Sequence, residues 1–404
     1  MDNNDVSGKT DSGHRLEGET IIYFGPEPWD GMWRNRHQLM TRLARHNRVV
    51  YVEPPVMLRA AFRRFFGGGA NVPRSSGRRV TVHESGVLVY YSPWWTPLTG
   101  RAPFEELSTS TFIRFLRRCC EIGERCQPII WLSRPHMHRF IGKMREKLCI
   151  YHVVDEYTAY AGIDSITRDW LRQQEQIVAR RADAVVVVTP ALMESKSLYN
   201  ERTYLIPNAV DFAAYANAQE AAPEDLAAME KPVIGFTGLV SVRLDFSLIQ
   251  DAAEARPGWS FVFVGAINDT ECRDELQALE RLKNVHFLGV KPIGLMPAYL
   301  QHFDVCTIPY AADDSAANAS PLKLYEYSAV GRPIVTTNFA AARAFPGHLR
   351  RVTTAAEFVH ACEEALSLEI GASELVENRS FAEQNTWDDR VDNIGDIMRK
   401  HIEQ

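Results

Sequence analysis

Short apolar segments alternate with amphipathic ones along this chain, and the alternation begins a second time near the middle. The first series starts at "IIYFGP" (21–26) and the second at "VIGFTG" (233–238). This alternation predicts parallel sheets, because parallel strands need a crossover of a dozen or more residues between them. A chain of 404 residues also exceeds one typical core. The sequence therefore predicts an α/β protein with two doubly wound, Rossmann-like domains facing a cleft.

Each series contains several strand candidates. In the first series these are residues 21–26, 49–54, 128–133, 150–156 and 184–189, with a hairpin over 79–92. In the second series they are residues 233–238, 261–265, 285–289, 305–310, 333–337 and 349–354. The amphipathic segments of the first series cover residues 33–46, 105–126, 136–147 and 167–182.

The predicted domain organisation follows from these series. Residues 1–18 are polar and lack the apolar core of a signal peptide, so they are expected to be a disordered tail. Residues 19–213 form the first domain, and the Ala/Glu/Pro-rich stretch 214–231 is the linker. Residues 232–372 form the second domain, and residues 373–404 are helices expected to pack back toward the first domain.

The amino-acid composition excludes some classes of protein. The net charge of −6 argues against a general nucleic-acid-binding protein. The seven cysteines have no metal-ligand spacing, and their odd number favours a reducing, cytoplasmic compartment. The longest apolar run, "ADAVVVVTPALM", is too short for a membrane span and is typical of a buried strand followed by a helix.

The stretch "SPLKLYEYSAVGRPIVTT" (320–337) predicts a capped helix followed by a strand. Ser320 is a good N-cap and Pro321 suits the first helical position. Gly331 stands where a left-handed C-terminal cap belongs. The helix is therefore expected over residues 321–330, with free backbone N–H groups at its start.

Two charged side chains make the start of this helix a candidate ligand site. Lys323 adds a full positive charge to a helix end that already attracts anions. Glu326 lies one turn deeper and can accept hydrogen bonds from hydroxyl groups beside the anion. An anion with a neighbouring diol describes a nucleotide diphosphate and its ribose. The alternative is an ordinary capped helix of an α/β domain.

Several motifs in this order resemble one enzyme family. "IPNAVD", "GFTGLVS" and "SPLKLYEYSAVGRPIVTT" together are similar to the retaining glycosyltransferases of family 4, which have the GT-B fold. The N-terminal stretch "PEPWDGMWRNRHQLMTRLARHNRVVYVEPP" resembles a bacterial branch associated with cell-surface polysaccharides, including teichuronic-acid-type glycosyltransferases. The resemblance covers most of residues 20–395.

The resemblance implies a nucleotide diphosphate sugar bound to the second domain and a glycan or lipid-linked acceptor bound to the first. It implies no cofactor besides this donor and no metal. Glu326 matches the ribose-binding Glu of the family, while Asn318 stands where a first Glu usually contacts the sugar. The implied donor-binding residues are Gly238, Asn318, Ser320, Leu322, Lys323 and Glu326.

The loop "GLVSVRLD" departs from the family pattern. Leu239 replaces an Arg, and Arg243 lies close to the place of a Lys that serves the diphosphate. Arg243 is interpreted either as a diphosphate ligand or as a solvated surface residue, and Asp245 as the N-cap of the next helix. Cations aimed at the leaving diphosphate stabilise the transition state and can replace a metal. Arg243 and Lys323 are therefore assigned catalytic roles.

The acceptor side is predicted at strand ends of the first series. Asp155 and Glu156 end the strand 150–156 and could balance positive charge at the sugar or orient an acceptor hydroxyl. Asp155 is the predicted catalytic member, and the alternative is a helix N-cap pair. The remaining acceptor-side candidates are Gly31, Arg34, Arg134 and Glu156. His37 is interpreted as a packed residue in preference to a base.

One segment has an unusual charge. Residues 54–83 contain six arginines and no acid, and "MLRAAFRRFFGGG" mixes these with Leu and Phe. This composition is typical of an interfacial helix, so residues 56–79 are expected to contact an anionic membrane surface. The protein would then be peripheral on the inner face of the membrane. The alternative is a basic flap over the acceptor cleft.

The predicted function is transfer of a sugar from a nucleotide diphosphate sugar to an acceptor in bacterial surface polysaccharide synthesis. Retention and independence of metal follow from the resemblance alone. Two alternatives stay open. One is a nucleotide-sugar epimerase on the same fold, and the other is a degenerate-site protein that binds nucleotide sugar as a scaffold.

Overall fold

The computed structural model describes residues 16–54, 79–93, 105–159, 164–217, 221–270, 272–311, 320–369 and 371–404. The predictions for the tail up to residue 15, for the basic residues 56–78 and for Asn318 lie outside these ranges. The described residues form two compact units. The first contains residues 16–154, 164–206 and 388–404, and the second contains residues 155–159 and 207–387. The predicted domain boundaries stay predictions.

The first unit is built on an eight-stranded sheet. Its strands are β1 (Thr20–Phe24), β2 (Arg48–Val52), β3 (Val80–Val82), β4 (Leu88–Tyr90), β5 (Ile129–Leu132), β6 (Leu148–Val153), β7 (Ala184–Val187) and β8 (Thr203–Leu205). Its first helices are α1 (Asn35–Leu43), α2 (Glu105–Cys119), α3 (Ser165–Arg181) and α4 (Pro190–Ser197). The strand order is β3-β4-β2-β1-β5-β6-β7-β8, and β3 alone among these strands pairs antiparallel.

The alternating pattern predicted these strands well, and the predicted hairpin over 79–92 is confirmed as β3 and β4. Two elements differ from the prediction. The helix expected over 136–147 is a 3₁₀ helix, Pro135–Phe140, that ends before Gly142, whose φ of 81° is left-handed. The short strand β8 was not predicted.

The second unit is built on a six-stranded sheet. Its strands are β9 (Val233–Thr237), β10 (Ser260–Val264), β11 (Val285–Gly289), β12 (Val305–Ile308), β13 (Ile334–Thr337) and β14 (Arg350–Val352). Its helices are α5 (Phe212–Ala216), α6 (Glu224–Ala227), α7 (Phe246–Ala255), α8 (Arg273–Glu280), α9 (Met296–His302), α10 (Leu322–Val330), α11 (Ala340–Ala344), α12 (Ala355–Leu366) and α13 (Ser373–Glu383). All described neighbours pair parallel, in the order β11-β10-β9-β12-β13-β14.

Helices cover both faces of the second sheet. Side chains along β9 alternate between two cores: Ile234 and Phe236 pack with α7, α8 and α12, whereas Val233 packs with α9, α10 and α13. A parallel sheet buried on both faces explains why its strands read as continuous Val- and Ile-rich runs.

The stretch predicted as a linker has structure of its own. It contains the end of α5 and all of α6. Asp211 caps α5 by accepting a hydrogen bond from the Ala214 amide, whereas α6 begins after Pro223 without a side-chain cap. Tyr215 and Leu226 are buried in the core beside α9 and α10. Residues 212–217 and 221–227 therefore extend the second unit.

The last helix, α14 (Trp387–Ile402), belongs to the first unit apart from its first residue. Asp388 in its first turn is a favourable acid beside the helix N-terminus. Its carboxylate also pairs with Arg42 Nε at 2.9 Å and with Arg45 Nη1 at 2.7 Å, which ties α14 to α1. The acid pair at 388–389 thus lies in the first turn of a helix.

Substitution of Gly235 in β9 should destabilise the second unit. A Cβ atom at this position would lie 2.1 Å from the ring of buried Phe303, so Gly235→Ala forces the packing apart. We expect a loss of about 1–3 kcal/mol in the free energy of unfolding, measured by urea titration. Gly258→Ala is the control, since nothing lies within 4 Å of its added Cβ. Equal stability of the two variants would contradict this packing argument.

Candidate functional site

The second sheet changes its direction of winding between β9 and β12. Strands β10 and β11 extend it on one side, and β12 to β14 extend it on the other. Ligands of open α/β sheets bind at such a switch point, outside the carboxyl ends of the strands. The loop of residues 238–245 leaves β9 at this point, and residues 309–311 leave β12 beside it.

The loop after β9 is held on both sides by backbone hydrogen bonds. On one side the Val240 amide donates to the Ala266 carbonyl at 2.9 Å. On the other side the Ala311 amide donates to the Arg243 carbonyl at 2.8 Å, and the Asp245 amide donates to the Pro309 carbonyl at 2.9 Å. The backbone of Arg243 is therefore fixed while its side chain is exposed.

Asp245 confirms one prediction about this loop. Its carboxylate accepts a hydrogen bond from the Leu248 amide at 3.0 Å and caps α7. Leu239, which stands where the resembled family carries an Arg, is half-buried. Arg243 has no hydrogen bond or ion pair from its guanidinium to the part of the chain that the structure describes. Both interpretations of Arg243 remain compatible with this placement.

The start of α10 differs from the prediction by one residue. The helix begins at Leu322 and its N-cap is Pro321, whose ψ of 124° is extended, so Pro321 is not the first helical residue. The prediction that Ser320 caps the helix was wrong, because no side-chain cap is formed. The Ser320 carbonyl instead accepts a hydrogen bond from Asn208 Nδ2 at 2.7 Å. The predicted left-handed cap at Gly331 is confirmed, with φ of 69°.

The missing cap leaves donors at the helix start. Within the described ranges, the Leu322 and Lys323 amides have no hydrogen-bond acceptor, as is usual for the first turn of an uncapped helix. Because these N–H groups carry the positive end of the helix dipole, they can bind an anion. α10 has nine residues, enough for a full dipole end.

The Lys323 side chain crosses this region between aromatic rings. Its Nζ lies 5.0 Å from the ring centroid of Phe236 and 5.6 Å from that of Tyr310, and it donates to the Tyr310 hydroxyl at 3.1 Å. Gly238 makes room for it: a Cβ atom there would lie 2.6 Å from Lys323 Nζ, and its φ of 131° also favours glycine. An ammonium has three donors, so two remain that contact no acceptor among the described residues.

Glu326 is half-buried one turn below Lys323. Burial raises the pKa of its carboxyl, while the Lys323 charge and a hydrogen bond from Tyr215 oppose this shift. Tyr215 lies in α5, within the segment predicted to be a linker, and sequence reasoning missed it. The signal was present, because Asp211 is a good N-cap before "FAAYA" and predicts a short helix.

The acceptor-side candidates Gly31, Arg34 and Arg134 lie in the first unit, in segments that follow β1 and β5. These strands are adjacent in the sheet, so the segments leave it at the same edge. Gly31 is exposed and its amide donates to the Pro28 carbonyl at 3.4 Å. Arg34 is the N-cap residue of α1, and Arg134 precedes the 3₁₀ helix after β5.

Asp155 and Glu156 follow β6, as predicted, and stabilise a local turn. An Asp155 oxygen accepts from the Glu156 amide at 3.0 Å, and a Glu156 oxygen accepts from the Thr158 hydroxyl at 2.7 Å. Glu156 directly precedes the 3₁₀ helix Tyr157–Ala159, and its Oε1 also accepts from the Thr158 amide at 3.4 Å, so the N-cap alternative holds for this short helix. The next α-helix, α3, is capped by Asp164. Their roles with an acceptor stay predictions.

His37 is a packed residue, as interpreted from the sequence. It is fully buried; its Nδ1 accepts from the Arg34 amide at 2.9 Å, and its Nε2 hydrogen-bonds to the Trp29 carbonyl at 2.9 Å. These contacts require the neutral tautomer with a proton on Nε2. Burial, with a smaller effect of Arg36, lowers the pKa of His37 to about 4. His37 therefore has no free nitrogen to act as a base.

The described residues contain neither a metal-binding cluster nor a membrane-spanning helix. No group of three or more His, Cys, Asp or Glu side chains there is placed to hold a metal ion. No helix within those ranges is long and apolar enough to cross a bilayer.

Comparison with solved structures defines the fold. HepE of Anabaena, in complex with UDP and glucose, is 14% identical, with 95% of this chain and 100% of that chain covered and a TM-score of 0.67. A sucrose-phosphate synthase from Thermosynechococcus elongatus is 15% identical, with coverages of 95% and 98% and a TM-score of 0.69. These neighbours are GT-B glycosyltransferases, and the chain has this fold, α/β with two Rossmann-like domains.

Comparison of sequences gives a narrower likeness. Residues 231–367, which contain the donor-site candidates of the second unit, match the family model described as "Glycosyl transferases group 1". A curated protein of Bacillus subtilis (strain 168), provisionally named as the teichuronic acid biosynthesis glycosyltransferase TuaH, is 26% identical over 279 residues. That match covers 66% of this chain and 70% of the relative.

Neutral His37 should make stability depend on pH. Its pKa is about 4 in the folded protein and about 6.5 when unfolded, so the unfolded state binds the proton between these values. The free energy of unfolding should fall as pH falls from 6.5 to 4, by about 1–3 kcal/mol from this residue. His37→Gln should show a shallower slope in urea titrations across this range.

Exposed His360 provides the control, since His360→Gln should keep the wild-type slope. Half-buried His136 and buried His152 also have pKa values lowered to about 4 and are present in all three proteins. The difference between His37→Gln and wild type therefore isolates His37. Identical slopes would show that His37 is not held neutral.

Proposed function

We propose that this protein is a glycosyltransferase that moves a sugar from a nucleotide diphosphate sugar to a glycan or lipid-linked acceptor. The observation that carries the proposal is the half-buried ammonium of Lys323 beside the uncapped start of α10, at the switch point of the second sheet. A cation at a helix N-terminus is unfavourable unless an anion accompanies it, so this arrangement favours a bound diphosphate.

The donor would bind to the start of α10, to the segment that precedes it and to the loop after β9. The Leu322 and Lys323 amides and the two remaining Lys323 donors would hold the diphosphate, with Gly238 and Ser320 lining its approach. The ribose hydroxyls would donate to the Glu326 carboxylate, one turn deeper in α10. Asn318 is proposed to contact the sugar, on the strength of the family resemblance alone.

The reaction breaks the bond between the anomeric carbon and the diphosphate oxygen. The bonding electrons leave with the diphosphate, while an acceptor hydroxyl forms the new bond and releases its proton. Lys323 and Arg243 would stabilise the charge that develops on the leaving group, a task that a metal ion performs in other enzymes. We propose that transfer retains anomeric configuration and that Asp155 balances positive charge at the sugar, with Glu156, Arg134, Arg34 and Gly31 toward the acceptor.

The relatives support a setting for this reaction. The name of the Bacillus relative points to teichuronic acid synthesis, and HepE was solved with UDP and glucose. We therefore propose a role in bacterial surface polysaccharide synthesis, in the cytoplasm, and place UDP first among the nucleotides to test.

Glu326→Gln should weaken nucleotide binding without unfolding the protein. Loss of the charge weakens one or two hydrogen bonds to ribose, each worth about 1.5–3 kcal/mol, so affinity should fall at least about tenfold. The measurement is a thermal-shift panel of UDP, GDP, dTDP, ADP and CMP, followed by calorimetry with the nucleotide that binds, without metal and then with Mg²⁺.

Glu280→Gln, at an exposed position at the end of α8, is the matched control and should bind like wild type. Equal binding by Glu326→Gln and wild type would remove Glu326 from the site. No binding of any diphosphate by wild type would overturn the proposed donor class. Sugar interconversion without an acceptor would identify an epimerase.

We also propose that residues 56–79 contact an anionic membrane surface, because they combine arginines with Leu and Phe and contain no acid. The protein should co-sediment with vesicles containing anionic lipid at low salt and much less with neutral vesicles. Replacing Arg59, Arg63 and Arg64 by Ser should abolish the difference. Absence of vesicle binding at low salt would contradict the membrane proposal and would not affect the proposed donor site.

A further inference from the structure

We propose that Tyr310 is a positioning residue that holds the Lys323 ammonium at the donor diphosphate without neutralising it. This inference rests on the proposed function, because it assigns a ligand to the two Lys323 donors that have no acceptor in the described part of the chain. Tyr310 follows β12 and was not among the residues singled out by motif.

The backbone of Tyr310 is anchored from two directions. It forms an antiparallel bridge with Leu244, in the loop that carries Arg243. The Thr337 hydroxyl, at the end of β13, donates to the Tyr310 carbonyl at 2.6 Å. The Tyr310 ring also lies 5.3 Å from the ring of buried Phe339. These contacts leave the phenol little freedom, so its hydroxyl marks a fixed point in the site.

Lys323 needs such a fixed point. A lysine side chain has four rotatable bonds, and ordering it lowers its conformational entropy at an unfavourable free energy of about 1.5–2 kcal/mol. The rings of Phe236 and Tyr310 confine the stem and attract the ammonium, and the Tyr310 hydroxyl accepts one of its three donors. The other two donors then point away from that hydroxyl.

The charge of the group that accepts a hydrogen bond from Lys323 matters as much as its position. Throughout the ranges that the structure describes, Lys323 forms no salt bridge within 4.0 Å. A carboxylate in the place of the Tyr310 hydroxyl would orient the ammonium but would also cancel its charge toward an incoming diphosphate. A neutral phenol orients the ammonium and leaves the full charge available. Tyr310 therefore suits a lysine that must meet an anion.

The test compares Tyr310→Phe with wild type in calorimetry, using a nucleoside diphosphate and its monophosphate. The pair is UDP with UMP, or the diphosphate of the panel that gives the largest thermal shift with its own monophosphate. Lys323 should serve chiefly the terminal phosphate, so Tyr310→Phe should reduce the preference for diphosphate over monophosphate about five- to tenfold, as loss of one hydrogen bond allows. The melting temperature should stay close to that of wild type, since the ring remains.

Two further proteins separate positioning from a structural effect. In a Lys323→Ala background, Tyr310→Phe should change the preference no further, because the ammonium that it positions is gone. Tyr299→Phe is the matched control: it removes another tyrosine hydroxyl of the second unit, which donates to Asp225 at 2.7 Å, and should leave the preference unchanged.

Each outcome decides between the claims. If wild type binds diphosphate and Lys323→Ala loses the preference while Tyr310→Phe keeps it, the positioning role is wrong and the proposed function stands. If Tyr310→Phe acts equally with and without Lys323, the hydroxyl acts independently of the lysine and the inference also fails. If wild type binds no diphosphate at all, the proposed function fails and the inference fails with it.

Discussion

A lysine ammonium held at the start of a helix is the constraint on which the second unit depends. The N-terminus of α10 is already positive, so placing Lys323 there is unfavourable on electrostatic grounds alone. The ring faces of Phe236 and Tyr310 and the Tyr310 hydroxyl stabilise the ammonium. Among the described residues, however, no carboxylate lies within salt-bridge distance of Lys323. The arrangement makes physical sense when an external anion completes it.

The same constraint accounts for the glycines around the site. Gly238 has no side chain because the Lys323 stem occupies the space where a Cβ would project. Gly265, after β10, approaches Gly238 so closely that its own Cβ would lie 1.9 Å from the Gly238 carbonyl oxygen. The loops after β9 and β10 can approach this closely only because neither residue has a side chain. The switch point thus brings the loops together, and the glycines allow their backbones and the Lys323 side chain to pack closely.

The fold was readable from the sequence because its signals are local. Val- and Ile-rich runs separated by amphipathic segments predicted both sheets, and Gly331 predicted the end of α10. The site was readable only in part. Lys323 and Glu326 lie on one helix, so helical spacing predicts their proximity. Tyr215 and Tyr310 reach those residues from other elements, and no periodicity reports such contacts.

The start of α10 shows why a local rule can fail at a site. Serine followed by proline is a strong capping signal, yet the Ser320 carbonyl is bound by Asn208, and Pro321 takes the cap position without a side-chain acceptor. A capped helix would be more stable by about 1 kcal/mol, but the cap would occupy the amides that a ligand needs. The helix start therefore lacks a stabilising cap at the place where a ligand would need free amides, as is expected of a binding site.

Lys323 and Glu326 are also coupled through charge. Burial raises the pKa of Glu326 and the nearby ammonium opposes this, so Lys323 helps to keep the carboxylate ionised. An ionised carboxylate is the form that accepts hydrogen bonds from two neighbouring hydroxyls. A diphosphate on Lys323 would weaken that support, since its negative charge favours protonation of Glu326. By linkage, this charge effect alone would strengthen donor binding at acidic pH, whereas a ribose that donates to both carboxylate oxygens stabilises the charged form and makes donor binding weaken as the pH falls.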